Sequence, residues 1–157
     1  MKWITIVILV FIVFLGVKKT HITTYYNYNG PYPPLIHESL NRWNIVNIYF
    51  KPSPKGSLKI THNPPSDLTH PLWGGEYRNF HILLNTRYHF RVEDLKGLVI
   101  HESGHFIGLS HSKDPQSAMN HDSPYDTPLS EQDIENAKNR KWFLWLKLLF
   151  YRLTVAP

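Results

Sequence analysis

The sequence predicts a single domain of the α+β class. Short β-branched and aromatic runs typical of strands surround one helical pattern after residue 21, and two longer helical segments follow. The 157 residues suit one domain whose core can fold without disulfides, and the chain has no cysteine. Apolar residues make up 42% and charged residues 18% of the chain, which excludes wholesale disorder.

Strands and one helix alternate in the first half of the chain. The run ITTYYNY predicts a strand, and the apolar spacing of LIHESLNRW predicts a helix. Three further strands are expected over NIVNIYF, SLKITHN and NFHILLN, which are residues 44–50, 57–63 and 79–85. The segment LWGGEYR, residues 72–78, is the candidate for a sheet edge that binds an extended peptide.

Two helices are expected in the second half. The first covers residues 92–106, with Glu93 and Asp94 in its first turn and Gly108 placed to end it. The second opens with Ser130 and Asp133, a variant of the capping box, and runs to Trp142.

The first 20 residues have the pattern of an export segment. Lys2 precedes an apolar or neutral run from Trp3 to Val17, and Lys18 and Lys19 close it. No A-x-A cleavage pattern is present, so an uncleaved signal anchor is favoured slightly over a cleaved signal peptide. We therefore expect an exported protein, secreted or membrane-anchored, with its domain outside the cytoplasm. A buried element of the fold is the alternative.

The C-terminal segment, residues 142–157, is hydrophobic and has two interpretations. It is either a last helix packed on the domain or an interfacial segment at a membrane. In the second case Trp142, Trp145 and Tyr151 would lie among the headgroups, with Lys147 and Arg152 facing anionic lipid. The net charge of +5 comes without an arginine-rich run or nucleic-acid motif, so no nucleic-acid partner is expected.

The stretch HESGHFIGLSH contains three histidines and one glutamate in eleven residues. Residues four apart lie on one face of a helix, so His101 and His105 can bind one ion. Gly108 allows a sharp turn that returns His111 as a third ligand. Three neutral nitrogens leave one tetrahedral position open, as in a catalytic zinc site. Glu102 could then take a proton from the zinc-bound water. A histidine cluster without metal is the alternative.

These residues resemble the zinc signature of the metzincins at every fixed position. Met119, in SAM, resembles their Met-turn, and GLSHS with LSEQDI is similar to the matrixins, the matrix-metalloprotease-like branch. The resemblance implies a mixed, mostly parallel sheet with two packed helices, a cleft and a C-terminal helix over residues 21–141. It also implies a zinc endopeptidase acting on a protein or peptide, with Tyr125 in the substrate pocket.

Two departures from this family are visible. The chain lacks the cysteine with which a propeptide would cap the zinc, and no structural zinc or calcium loop is recognisable. One catalytic zinc ion is therefore expected. The other histidines of the middle region are expected at the surface or in the core rather than as ligands; they are His62, His70, His81, His89 and His121.

Three other functions remain open at this stage. The domain could be a zinc hydrolase acting on something other than protein, such as a wall peptide amide. It could be a zinc-stabilised adhesion or scaffold module at the membrane, although such a site needs no base. It could also be a small membrane protein with a chance motif.

Overall fold

The computed structural model describes residues 20–70, 73–122 and 127–154. The elements in chain order are strand β1 (Ile22–Tyr28), helix α1 (Pro33–Asn41), strands β2 (Ile48–Pro52), β3 (Leu58–Asn63), β4 (Gly75–Arg78) and β5 (His81–Asn85), helix α2 (Val92–Ile107) and helix α3 (Glu131–Thr154). The α+β class is thus confirmed. The predicted export segment, apart from Thr20, lies outside the described residues.

The five strands form one sheet in the order β2-β1-β3-β5-β4. The pairs β1–β2, β1–β3 and β3–β5 are parallel, whereas β4 runs antiparallel to β5 and lies at the edge. Alternate residues of a strand point to the same face of the sheet, and residues paired across neighbouring strands share a face. Ile60 of β3 and its partner Ile82 of β5 are therefore buried in the core together. The expected mixed, mostly parallel sheet is present, and residues 75–78 of the LWGGEYR segment form its edge strand.

A single cluster of buried apolar residues joins the sheet to all three helices. Ile36 and Leu40 of α1 and Leu98 and Phe106 of α2 belong to it. Trp43, just after α1, is fully buried and donates its indole N–H to Ser103 Oγ on α2 over 2.8 Å. This contact fixes α2 against the core.

Two predicted strand boundaries are wrong. Residues 44–46 belong to a 3-10 helix, Arg42–Val46, because Trp43 and Val46 turn into the core, so β2 begins only at Ile48. Asn79 and Phe80 have φ angles of 48° and 66° and form the turn from β4 to β5. A residue as bulky as phenylalanine rarely adopts such angles, so the residue types at these positions did not predict a turn.

Helix α3 continues without a break from the predicted domain into the predicted hydrophobic tail. Leu144 and Leu148 are buried in the core, so the inner face of residues 142–154 packs on the domain. Lys147 also faces inward, which corrects its expected orientation toward lipid. None of the helices in the described part of the chain combines the length and apolar content needed to cross a bilayer.

Candidate metal centre

Three imidazoles converge at the end of α2. His101 and His105 lie one turn apart on this helix, which ends at Gly108 with a φ of 107°. The turn brings His111 back toward the helix. The Nε2 atom of His105 lies 3.2 Å from that of His101 and 3.1 Å from that of His111.

The tautomers of the first two histidines suit a metal ligand. Nδ1 of His101 lies 2.8 Å from the carbonyl oxygen of Ala118, and Nδ1 of His105 lies 2.9 Å from that of Leu109. A carbonyl can only accept, so both Nδ1 atoms carry the proton and both Nε2 atoms keep a lone pair that is available to a metal ion. Three nitrogens bound tetrahedrally to zinc would be separated by about 3.3 Å. The triad therefore fits one zinc ion.

The environment keeps all three imidazoles neutral at physiological pH. The pKa of His101 is lowered to about 4, chiefly by burial and next by the nearby His105, while the hydrogen bond to Ala118 acts in the opposite direction. Burial likewise lowers the pKa of His105 and of His111. Metal binding requires neutral imidazole, so the triad needs no deprotonation before it can bind a cation.

Glu102 lies beside the triad with 6% of its surface exposed. The pKa of its carboxyl group is raised to about 7, chiefly by burial; the backbone amide of Tyr77 opposes this rise, and the carboxylate of Glu76 adds to it. Glu102 can therefore gain or lose a proton near neutral pH. A divalent cation in the triad would shift the balance toward the ionised form.

Met119 packs directly beneath α2. A Cβ atom at position 104 would lie only 2.3 Å from the Met119 sulfur, so this close approach requires Gly104. The backbone N–H of Ser112 donates to the Met119 carbonyl over 2.8 Å, which ties the segment after His111 to the same turn. Met119 therefore packs against the helix that carries His101 and His105, and its assignment to a Met-turn stays a prediction.

Asp133 is a supporting residue that sequence reasoning identified only as a helix-start signal. The capping box is present, since Asp133 N–H donates to Ser130 Oγ over 3.1 Å. The carboxylate, however, also accepts hydrogen bonds from Ser117 Oγ at 2.6 Å and from Ala118 N–H at 2.9 Å. Ala118 is the residue whose carbonyl orients His101. No local sequence pattern predicts this hydrogen bond, because it joins α3 to a turn 15 residues earlier.

A cleft of about 470 Å³ opens in front of the triad. Helix α2 forms one wall and β4 forms another, from Gly75 to Tyr77. Trp73 and His121 also border the cleft. The ring of His121 lies 5.5 Å from that of His111 and 6.0 Å from that of Trp73. His121 is exposed and is not part of the convergent triad. Tyr125 lies outside the described residues.

Comparison with known proteins agrees with this fold. The family model of the matrixins, peptidase family M10, matches residues 35–139. Among solved structures, archaemetzincin from Methanopyrus kandleri superposes with a TM-score of 0.54 at 12% identity, covering 77% of this chain and 95% of that one. This likeness shows a common fold. No curated protein has significant sequence similarity to the chain.

Proposed function

Because the chain belongs to the matrixin family and is a zinc metallopeptidase, we propose that it is an endopeptidase. His101, His105 and His111 would hold the zinc, and Glu102 would move the proton. The observation that carries this proposal is the convergence of three imidazole Nε2 atoms beside a buried carboxyl group in an open cleft.

The ion would supply Lewis acidity, which lowers the pKa of water and polarises a carbonyl group. Glu102 accepts the proton of the attacking water as its oxygen adds to the scissile carbonyl carbon. The same carboxyl group then delivers this proton to the amine nitrogen as the C–N bond breaks. The hydrogen bond from the backbone amide of Tyr77 favours the ionised form of Glu102, which is the form that accepts the proton.

The edge strand β4 supports a peptide as substrate. Within the described part of the chain, no strand pairs with its outer side, and Gly75, Glu76 and Tyr77 border the cleft. An extended peptide can add to such an edge through backbone hydrogen bonds, which hold the main chain regardless of sequence. The carbonyl to be cleaved would then lie between the strand and the triad. Protein or peptide chains are therefore the proposed substrates.

Two substitutions in the triad region test this proposal. His111→Ala removes a ligand and should lose both zinc and peptidase activity. Glu102→Gln keeps all three ligands but cannot accept a proton, so activity should fall by about 10²–10⁴ while zinc remains bound. Zinc content by elemental analysis and cleavage of a peptide library measure the two properties. His89→Ala, at an exposed histidine outside the triad, is the matched control.

Several outcomes would contradict the proposal. If Glu102→Gln kept most of its activity with zinc in place, another base or the scaffold function would replace the role given to Glu102. If the zinc-loaded parent cleaved no peptide in the library but hydrolysed other amides, the peptidase assignment would fail while the metal site stood.

A further inference from the structure

The last three turns of α3 expose an apolar surface, which we call the outer face: Trp145, Leu149, Phe150 and Leu153. The first two side chains are exposed by 37% and 38%, Phe150 by 65% and Leu153 by 74%. Trp145, Leu149 and Leu153 recur every four residues, so they lie along one side of the helix. The opposite side, with Leu144 and Leu148, is already buried in the core.

Two lysines of α3, Lys141 and Lys147, point inward. Lys141 is buried, and its ammonium group donates to the carbonyl of Thr20. Lys147 donates to the carbonyl of Phe106 over 3.1 Å and to the hydroxyl of Tyr77. Its nitrogen also lies 4.7–5.0 Å from the ring centroids of Tyr77, Phe80 and Phe106. A helix facing water has the reverse arrangement, with cations outside and apolar residues inside.

The contact between Lys141 and Thr20 also shows where the N-terminal part of the chain meets the fold. Thr20 contacts α3 at Lys141. The hydrophobic half of the helix begins at the next residue, Trp142. The apolar run from Trp3 to Val17 is separated from Thr20 by only Lys18 and Lys19. The two most hydrophobic segments of the sequence are therefore attached to the fold at one place.

The exposed charges of α3 beyond Glu135 are all basic. After Glu135, the helix contains no acidic residue. Lys138, which pairs with Glu135, is exposed on it, as are Arg140 and Arg152. An apolar helical face with tryptophan and basic neighbours is typical of helices that lie in the interface of an anionic bilayer.

We propose that the outer face of α3 docks on the surface of an anionic lipid bilayer. The helix lies along the interface, with Leu149, Phe150 and Leu153 among the upper acyl chains. The basic residues contact the phosphates. This proposal does not depend on the proposed peptidase activity, because none of these residues belongs to the metal centre.

Fluorescence quenching on the full chain tests the docking. The chain has no cysteine, so Phe150→Cys or Leu153→Cys gives a single attachment point for an environment-sensitive label. Gln132→Cys, on the exposed first turn of the same helix, is the matched control. The labelled proteins are reconstituted in vesicles of phosphatidylcholine and phosphatidylglycerol with brominated acyl chains. Iodide serves as the quencher from the water phase.

We expect lipid bromines to quench labels at 150 and 153 several-fold more than the label at 132, and iodide to quench them less. Protection from iodide without quenching by lipid would mean that protein covers the face, either a second copy or the N-terminal segment, and would overturn the proposal. Equal access of iodide to all three positions would overturn it as well. Replacing phosphatidylglycerol by phosphatidylcholine should weaken the quenching; unchanged quenching would refute the preference for anionic lipid.

Discussion

The two halves of α3 have opposite arrangements of charge. Residues 131–140 expose polar side chains to water and bury an acid, Asp133, against the turn that contains Ala118. Residues 141–154 expose apolar side chains and bury two bases, Lys141 beside Thr20 and Lys147 against the end of α2 and the edge strand. Asp133 and Lys147 both face elements that form the metal centre. The comparison teaches that the inner side of one helix supports the site along its length, while its outer side changes from polar to apolar.

The largest effect is expected where the first half contacts the turn that contains Ala118. Asp133→Ala leaves Ser117 Oγ and the N–H groups of Ala118 and Ser130 without their acceptor. Each buried donor left unpaired costs about 1–3 kcal/mol. Since Ala118 orients His101, zinc affinity or peptidase activity should fall by about 10–100-fold. Zinc titration and denaturant unfolding measure both effects.

Glu135→Ala is the control for Asp133→Ala. It removes the same charge from the same helix, at an exposed ion pair with Lys138 that spans 3.8 Å. Such pairs contribute about 0–1 kcal/mol, so zinc affinity should stay unchanged. If both variants bound zinc equally well, the polar half of α3 would not support the site.

An intermediate effect is expected for the buried base. Burial lowers the pKa of Lys147 to about 8 from a value of 10.5 in the unfolded chain. Between these values the unfolded state binds more protons, so the stability of the parent should rise as the pH increases above 8. Lys147→Met should abolish this rise. Denaturant unfolding between pH 7 and pH 9.5 measures it, with Lys138→Met as the exposed control.

An unchanged pH dependence in Lys147→Met would show that the aromatic surroundings do not depress this pKa. Lys147→Met should also lower peptidase activity at neutral pH, because Lys147 contacts Phe106, which follows His105. This loss should be smaller than that of Asp133→Ala.

The smallest effect on folding is expected at the outer face. Phe150→Ser should change the free energy of unfolding by no more than about 0.5 kcal/mol, since little of this side chain packs on the domain. Leu144→Ala, on the inner face, should cost about 2–5 kcal/mol. Equal losses in both variants would mean that the outer face is part of the core, contrary to the comparison of the two faces.

A part of the molecule could be predicted from the sequence when the residues that contact one another there lie close together along the chain. His101, Glu102, His105 and His111 could be assigned together because helix periodicity and one glycine turn suffice to bring them close. The burial of Lys147 could not be predicted, since two of its aromatic neighbours are 67 and 70 residues away. Sequence alone therefore allowed two interpretations of residues 142–157. The packed inner face agrees with the first, while the membrane contact remains a proposal.

The edge strand has a further consequence, which concerns self-association. A strand open to a substrate is also open to other protein chains, and unpaired edges are common starting points of aggregation. Here β4 offers only four residues, two of which, Glu76 and Arg78, are charged. Fibril-forming segments commonly need six or seven residues of low charge. The strand is therefore long enough to hold a short stretch of peptide and too short and too charged to template a fibril.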